Sequence, residues 1–140
     1  PEEGGMSTPP RPVPDPDIAG APFWEAAARH ELVLQKCAEC GTIRHPPRPM
    51  CPVCNSMDSV FEQASGRGRI WSWVIAHAPV LPSFAEKVPY NVVVVTLDEG
   101  VRMIGNLLGV DNDAITEGMP VVVDFEDVEE GVSLPVWRPA

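Results

Sequence analysis

Cys37-Ala38-Glu39-Cys40 and Cys51-Pro52-Val53-Cys54 form two C-x-x-C hooks with ten residues between them, and they decide how the first half of this chain folds. Zinc takes four ligands tetrahedrally. One C-x-x-C turn presents two sulfurs to one side of the ion, and a second turn closes the other side. The gap is shorter than the roughly fifteen to twenty residues common between paired hooks. The chain has four cysteines in all, so both hooks together leave no thiol for nucleophilic chemistry. Two disulfides or a four-thiolate iron centre are the competing uses of the pattern. Zinc held by Cys37, Cys40, Cys51 and Cys54 has no open position for water or substrate, so a structural Zn²⁺ is expected, and no catalytic residue.

Outward from the hooks, residues 32–36 read as a strand entering the first of them. Residues 44–49, Arg-His-Pro-Pro-Arg-Pro, lack too many donors for a central strand and read as a finger turning back to the second hook. Upstream, Pro22 suits the first turn of a helix running through Phe23, Trp24 and Ala27 to His30. Phe23, Ala27 and His30 would share a face with Trp24 beside it, and so short a helix must dock to persist. Residues 1–20 hold six of the seventeen prolines with little apolar periodicity, which predicts a linker or tail.

From residue 66 the pattern turns to strands. Residues 67–77 alternate, with Trp71, Trp73 and Ile75 expected on one face and Ile70, Val74 and Ala76 on the other. Residues 90–97 and 101–108 read as two further strands joined by the tight turn Asp98-Glu99-Gly100. Residues 121–128 and 134–137 complete five, with glycine breaks at Gly105, Gly109 and Gly118. The expected fold class is mainly β: an N-terminal helix, a small zinc ribbon and a five-stranded barrel of OB-fold type. The expected division is 1–20 linker or tail, 21–65 helix and ribbon, 66–140 barrel.

Twenty acids against ten bases give a formal net charge of −10. Four thiolates and one Zn²⁺ would take it to about −12. Residues 98–130 carry ten acids and a single base, Arg102, and the chain has only two lysines. Clustered Lys and Arg are what a phosphate backbone requires, so nucleic acid is a poor partner. The longest wholly aliphatic run in the barrel, residues 92–95, is strand-sized, and the first residues lack the apolar core of a secretory signal. A cytoplasmic location without membrane contact is expected.

The ordered set of Pro22-Phe23-Trp24, the two hooks, Gly68-Arg69-Ile70-Trp71-Ser72-Trp73, Leu97-Asp98-Glu99-Gly100, Gly105-Asn106-Leu107, Gly118-Met119-Pro120-Val121 and Pro135-Val136-Trp137-Arg138-Pro139 resembles the DUF35 family. The resemblance spans residues 21–140. It implies a rubredoxin-like zinc ribbon joined to an OB-fold and a role in acyl-CoA metabolism. It further implies a non-catalytic subunit accompanying a thiolase-superfamily enzyme, such as a lipid-transfer-protein-like aldolase that performs retro-aldol cleavage in steroid side-chain degradation. In that setting a MaoC-like hydratase domain can precede the DUF35 segment, and acyl-CoA is met through the complex. A bridging subunit of another thiolase complex is a neighbouring role. A single-stranded nucleic-acid binder is the rival from a different class.

Trp71, Trp73, His77, Pro82, Phe84 and Tyr90 are the candidates for a partner or substrate-channel surface. Arg67, Arg69 and Arg102 are candidates for contacts to a CoA phosphate, with solvated surface arginine as the plainer alternative. His77 ends a strand; as a general base it would need a partner and a substrate pocket, and a strand-end histidine bonded to loop backbone is the plainer reading. His30 and His45 are expected to be structural. Gly66-Arg67-Gly68 is too short for a phosphate loop and reads as a turn. The acidic residues of 124–130 read as a solvated edge that discourages strand pairing.

Overall fold

The computed structural model describes residues 10–140. Helix α1 (Ala21–Ala28) starts with proline in its first turn and buries Phe23, Ala26 and Ala27. The Asp17 carboxylate accepts the Gly20 amide at 2.6 Å just before it. His30 lies beyond the helix rather than on its face. It adopts φ 60°, stacks on Phe125 with ring centroids 5.3 Å apart, and places Nε2 2.7 Å from Asp127. The helix stops sooner than expected because the chain turns left-handed there to reach the next strand.

Strand β1 (Val33–Cys37) is the centre of a three-stranded antiparallel sheet, flanked by β2 (Ile43–Arg44) and β3 (Ser59–Gln63). The sequence did not announce β3. Residues 59–63 are half exposed and weakly patterned, and they become a strand by pairing with β1 from Val33↔Gln63 to Cys37↔Ser59. Burial by a neighbour, not local propensity, makes this strand.

The second sheet holds β4 (Arg67–Ala76), β5 (Tyr90–Leu97), β6 (Arg102–Gly105), β7 (Pro120–Glu129) and β8 (Val132–Pro139). Its order is β6-β5-β4-β7-β8, with every neighbour antiparallel. The edges meet where Leu107 bridges Trp137: the Leu108 amide donates to Trp137 O at 2.8 Å, and the Trp137 amide to Asn106 O at 2.9 Å. That junction nearly closes a five-stranded barrel of OB type.

One expectation about β4 fails. The β4–β5 register slips between Ile70 and Ser72, leaving Trp71 as the extra residue of a bulge. Face alternation inverts at that point. Ile70 is buried and Trp73 and Ile75 pack on the core, while Trp71 and Val74 face out. Trp71 and Trp73 therefore do not share a face, nor do Ile70 and Val74.

Helix, ribbon and barrel share one core. Phe23, Leu32 and Leu34 join Ile70, Val93, Val95, Leu97, Met103 and Trp137 in a single buried cluster. Burying one such side chain contributes roughly 1.5–3 kcal/mol. The helix packs on β8 and β1, and Ala64 donates to Leu32 O at 2.8 Å to tie β3 to the start of β1. Residues 10–20 run along this body, with the Arg11 guanidinium 5.4 Å from the Phe84 ring and 3.4 Å from Glu126. The linker expected over residues 1–20 lies, for residues 1–9, outside the described residues.

Candidate functional site

The two hooks are built alike. Cys37 donates its amide to Thr42 O at 2.9 Å, and Gly41 donates back to Cys37 O at 3.1 Å. In the second hook Cys51 donates to Ser56 O at 2.9 Å and Asn55 to Cys51 O at 2.9 Å. The residue after each second cysteine is left-handed, Gly41 at φ 77° and Asn55 at φ 64°. Glycine reaches that region freely, and asparagine is among the few side chains that tolerate it.

The four sulfurs lie within 4.8 Å of one another, with Cys37 and Cys54 3.5 Å apart and Cys40 and Cys51 3.6 Å apart. Zinc–sulfur bonds of about 2.3 Å in a tetrahedron put sulfurs about 3.8 Å apart, so the cage has the right size. The separations are too long for disulfides. Electrostatics favours a dication as well. The Cys40 amide, opposed by burial but helped by the Glu39 amide, lowers the Cys37 thiol to about 6. The Cys54 amide lowers Cys51 in the same way. Cys54 receives the Ser56 amide, which lowers it, yet contact with Cys37, burial, Cys40 and Cys51 push it up to about 12. Thiolates this close cannot all ionise unless a cation sits among them. These residues form a metal-binding cysteine cluster.

The finger between the hooks is held from beneath. Gln35 Nε2 donates to Arg48 O at 2.9 Å and to Ser59 Oγ at 2.9 Å, and its Oε1 accepts the Arg48 amide at 2.8 Å. Arg44 donates to the same Arg48 carbonyl at 2.8 Å. Both side chains are buried. Sequence reading passed over Gln35, whose polar position in a short strand before a hook was the available signal.

The remaining candidates separate into distinct places. Trp71 is exposed, and the Arg102 guanidinium carbon lies 3.8 Å from its ring centroid. Arg69 stands across β5 from Arg102 through the register Arg69↔Thr96↔Arg102 and donates to Gly118 O at 3.0 Å. Arg67 is exposed at the start of the same strand. Tyr90 sits at the far end of this ladder, opposite Ala76, with Phe84 5.8 Å away. Pro82 opens the short 3-10 turn before Phe84 and is exposed, as is His77. The structure thus joins Trp71 to Arg102 and Phe84 to Tyr90, and it turns Trp73 inward. Sequence reading also missed Asn91, which is buried. Its Nδ2 donates to Leu107 O at 2.8 Å and its Oδ1 accepts the Leu107 amide at 2.6 Å. It is the one polar residue in an otherwise apolar start to β5.

A cysteine-caged ribbon fused through one core to an OB barrel defines a zinc-ribbon/OB-fold module. Residues 24–58 match the family described as the ChsH2 rubredoxin-like zinc ribbon domain, and residues 61–126 match the ChsH2 C-terminal OB-fold domain. The chain belongs to the DUF35 family. It is 35% identical to a DUF35 domain-containing scaffold protein of Methanothermobacter thermautotrophicus, over 73% of this chain and 77% of the relative. It is 46% identical to the "Probable enoyl-CoA hydratase alpha subunit" of Thermomonospora curvata, over 94% of this chain but 40% of that protein. Against the 3-oxo-4,17-pregnadiene-20-carboxyl-CoA hydratase alpha subunit of Mycobacterium tuberculosis the identity is 39%, over 84% of this chain and 36% of that protein. This chain therefore spans about two fifths or less of those two relatives. Among solved structures, the Ltp2-ChsH2(DUF35) aldolase superposes with TM-score 0.84 at 44% identity, over 90% of this chain and 98% of that one. No helix among the described residues is long and apolar enough to cross a membrane.

Proposed function

We propose that this chain is a non-catalytic accessory subunit of a thiolase-superfamily acyl-CoA enzyme, a retro-aldol lyase acting on a steroid-type CoA ester. The observation that carries the reading is its likeness to the Ltp2-ChsH2(DUF35) aldolase over nearly the whole of that DUF35 chain. Its cysteines are committed to the cage, and His77 is exposed just beyond β4, with no carboxylate hydrogen-bonded to it among the described residues to support it as a base. The task is to complete or rigidify the lipid-transfer-protein-like partner's substrate channel. Zn²⁺, held by Cys37, Cys40, Cys51 and Cys54, is structural: it fixes the ribbon that carries Leu32 and Leu34 into the barrel core. In this reading Arg67, Arg69 and Arg102 are the bases that meet a CoA phosphate, and Phe84 with Tyr90 offers a second contact to the partner. Residues 1–20 connect to a MaoC-like hydratase domain, a reading supported by the greater length of the hydratase-named relatives. The complex works in the cytoplasm.

The test is co-expression with the lipid-transfer-protein-like subunit of the same host, followed by an aldol-cleavage assay. The pair should cleave a steroid side-chain CoA ester while this chain alone turns over nothing. Turnover by the isolated chain, or full activity of the partner without it, overturns the reading. The scaffold-named relatives favour a second role, as a bridge between other acyl-CoA enzymes. Recovery of a thiolase together with a hydroxymethylglutaryl-CoA synthase would select that role instead.

A further inference from the structure

Strands β4, β5 and β6 contain no Asp or Glu, in a chain that has twenty. They do contain Arg67, Arg69 and Arg102. The outward face of the same three strands is apolar at its centre. After the bulge the outward rows are Ser72↔Val94↔Ile104 and Val74↔Val92. Trp71 is 50% exposed, Val74 62% and Ile104 67%. These are large side chains to leave in water on one continuous sheet face, and such a patch rimmed by polar groups marks an interaction surface. The Arg102 guanidinium carbon sits 3.8 Å from the Trp71 ring centroid, so the arginine edge and the apolar centre are one surface.

The face runs on past Arg102 and Ile104 into a cleft of about 340 Å³ against Trp24, His45 and Pro46. His45 Nδ1 is buried there without a hydrogen-bond partner among the described residues. Helix, finger and barrel all border this one cleft.

We propose that the outer β4–β5–β6 face, centred on Trp71, Val74 and Ile104, is the surface that docks on the aldolase subunit, and that it takes an apolar partner patch ringed by carboxylates. The inference rests on the accessory-subunit reading and adds to it the place and chemistry of contact. Charge decides the occupant. A second copy meeting this face symmetrically would set arginine against arginine. A second copy offering its acidic β7–β8 end would make a contact that does not close. Single-stranded nucleic acid needs a cationic groove, which a chain of net charge −10 does not extend beyond these three arginines. Tryptophan and arginine are the residues that dominate binding at desolvated protein interfaces.

The experiment is co-purification of the full chain with the lipid-transfer-protein-like subunit of its own host. Three forms are compared: wild type, the V74E/I104E double variant and R67E/R69E. All four positions are exposed, so V74E/I104E should keep the wild-type melting temperature, and R67E/R69E should lower it only by the loss of the exposed hydrogen bond from Arg69 to Gly118 O. V74E/I104E should lower the recovered subunit by roughly a hundredfold, because it buries unpaired charge. R67E/R69E should weaken association and reduce its sensitivity to salt. Equal recovery with all three forms overturns the docking face and leaves the accessory-subunit reading intact. A wild-type chain that brings down no such subunit overturns that reading and this inference with it. Two other results also overturn the inference: a homodimer abolished by V74E/I104E, or oligonucleotide binding abolished by W71A.

Discussion

Gly68 faces Leu97 across the β4–β5 ladder, and β5 runs so close that a Cβ on Gly68 would lie 2.6 Å from the Thr96 carbonyl oxygen and 2.5 Å from Val95 Cγ1. The strand that starts the barrel can approach β5 only because that residue has no side chain. Gly68→Ala should therefore destabilise the fold by about 1–3 kcal/mol through overpacking. Urea unfolding followed by tryptophan fluorescence measures it, and an unchanged midpoint would show that the strands separate at no cost.

Asn91 is the second place where a single residue holds the barrel. Its amide satisfies both the carbonyl and the N–H of Leu107, next to the bridge where the sheet edges meet. Asn91→Leu leaves those backbone groups unpaired, at roughly 1–3 kcal/mol each. Amide exchange at Leu107 and Leu108 should accelerate more than exchange at Val93 or Val95. Uniform acceleration would argue that Asn91 supports the whole fold and not the closure.

His45 sets a pH dependence. Burial holds its imidazole at about 4, down from 6.5, so the folded protein keeps it neutral while the unfolded chain takes up a proton. The sign follows: the stability is fully present above 6.5 and is lost as pH falls from 6.5 towards 4. At about 1.4 kcal/mol per unit the span is worth roughly 3 kcal/mol. His45→Phe keeps an aromatic ring beside Phe23 and should flatten that part of the curve. Taking the difference between wild type and variant removes any shared loss of metal. Parallel melting curves from pH 7 to pH 4 would refute the assignment.

Metal removal should reach the barrel as well as the ribbon, because Phe23, Leu34 and Trp137 share a core. Elemental analysis should find zinc in the gently purified protein, and Cys51→Ser should lose it. Chelation should lower the melting temperature and expose Trp137, which is wholly buried in the fold. Affinity should fall as pH falls, since the ligands bind as thiolates. A chelated protein that melts unchanged would mean the ribbon folds without its ion.

The two halves of the chain were unequally legible. Cysteine spacing is a covalent fact of the sequence, so the cage could be read before any fold was known, as could Pro22 opening the helix. Strand β3 could not, because residues 59–63 form a strand only when β1 pairs with them. The facing of Trp71 and Trp73 was misjudged because a bulge is a register property of two strands, absent from the pattern of either. Gln35 and Asn91 looked like ordinary polar residues until their backbone partners came into place.

What the amino-acid order determined by itself is local chemistry: four thiols at metal spacing, proline and glycine at turns, valine-rich runs of strand length and a strongly acidic balance. Which side chains meet water was decided only by tertiary structure. Trp71, Val74 and Ile104 lie on the same outer sheet because β4 slips by one residue against β5, and β5 in turn aligns β6. Such a surface arises from interstrand register, a relation between segments distant in sequence, and no single segment carries it.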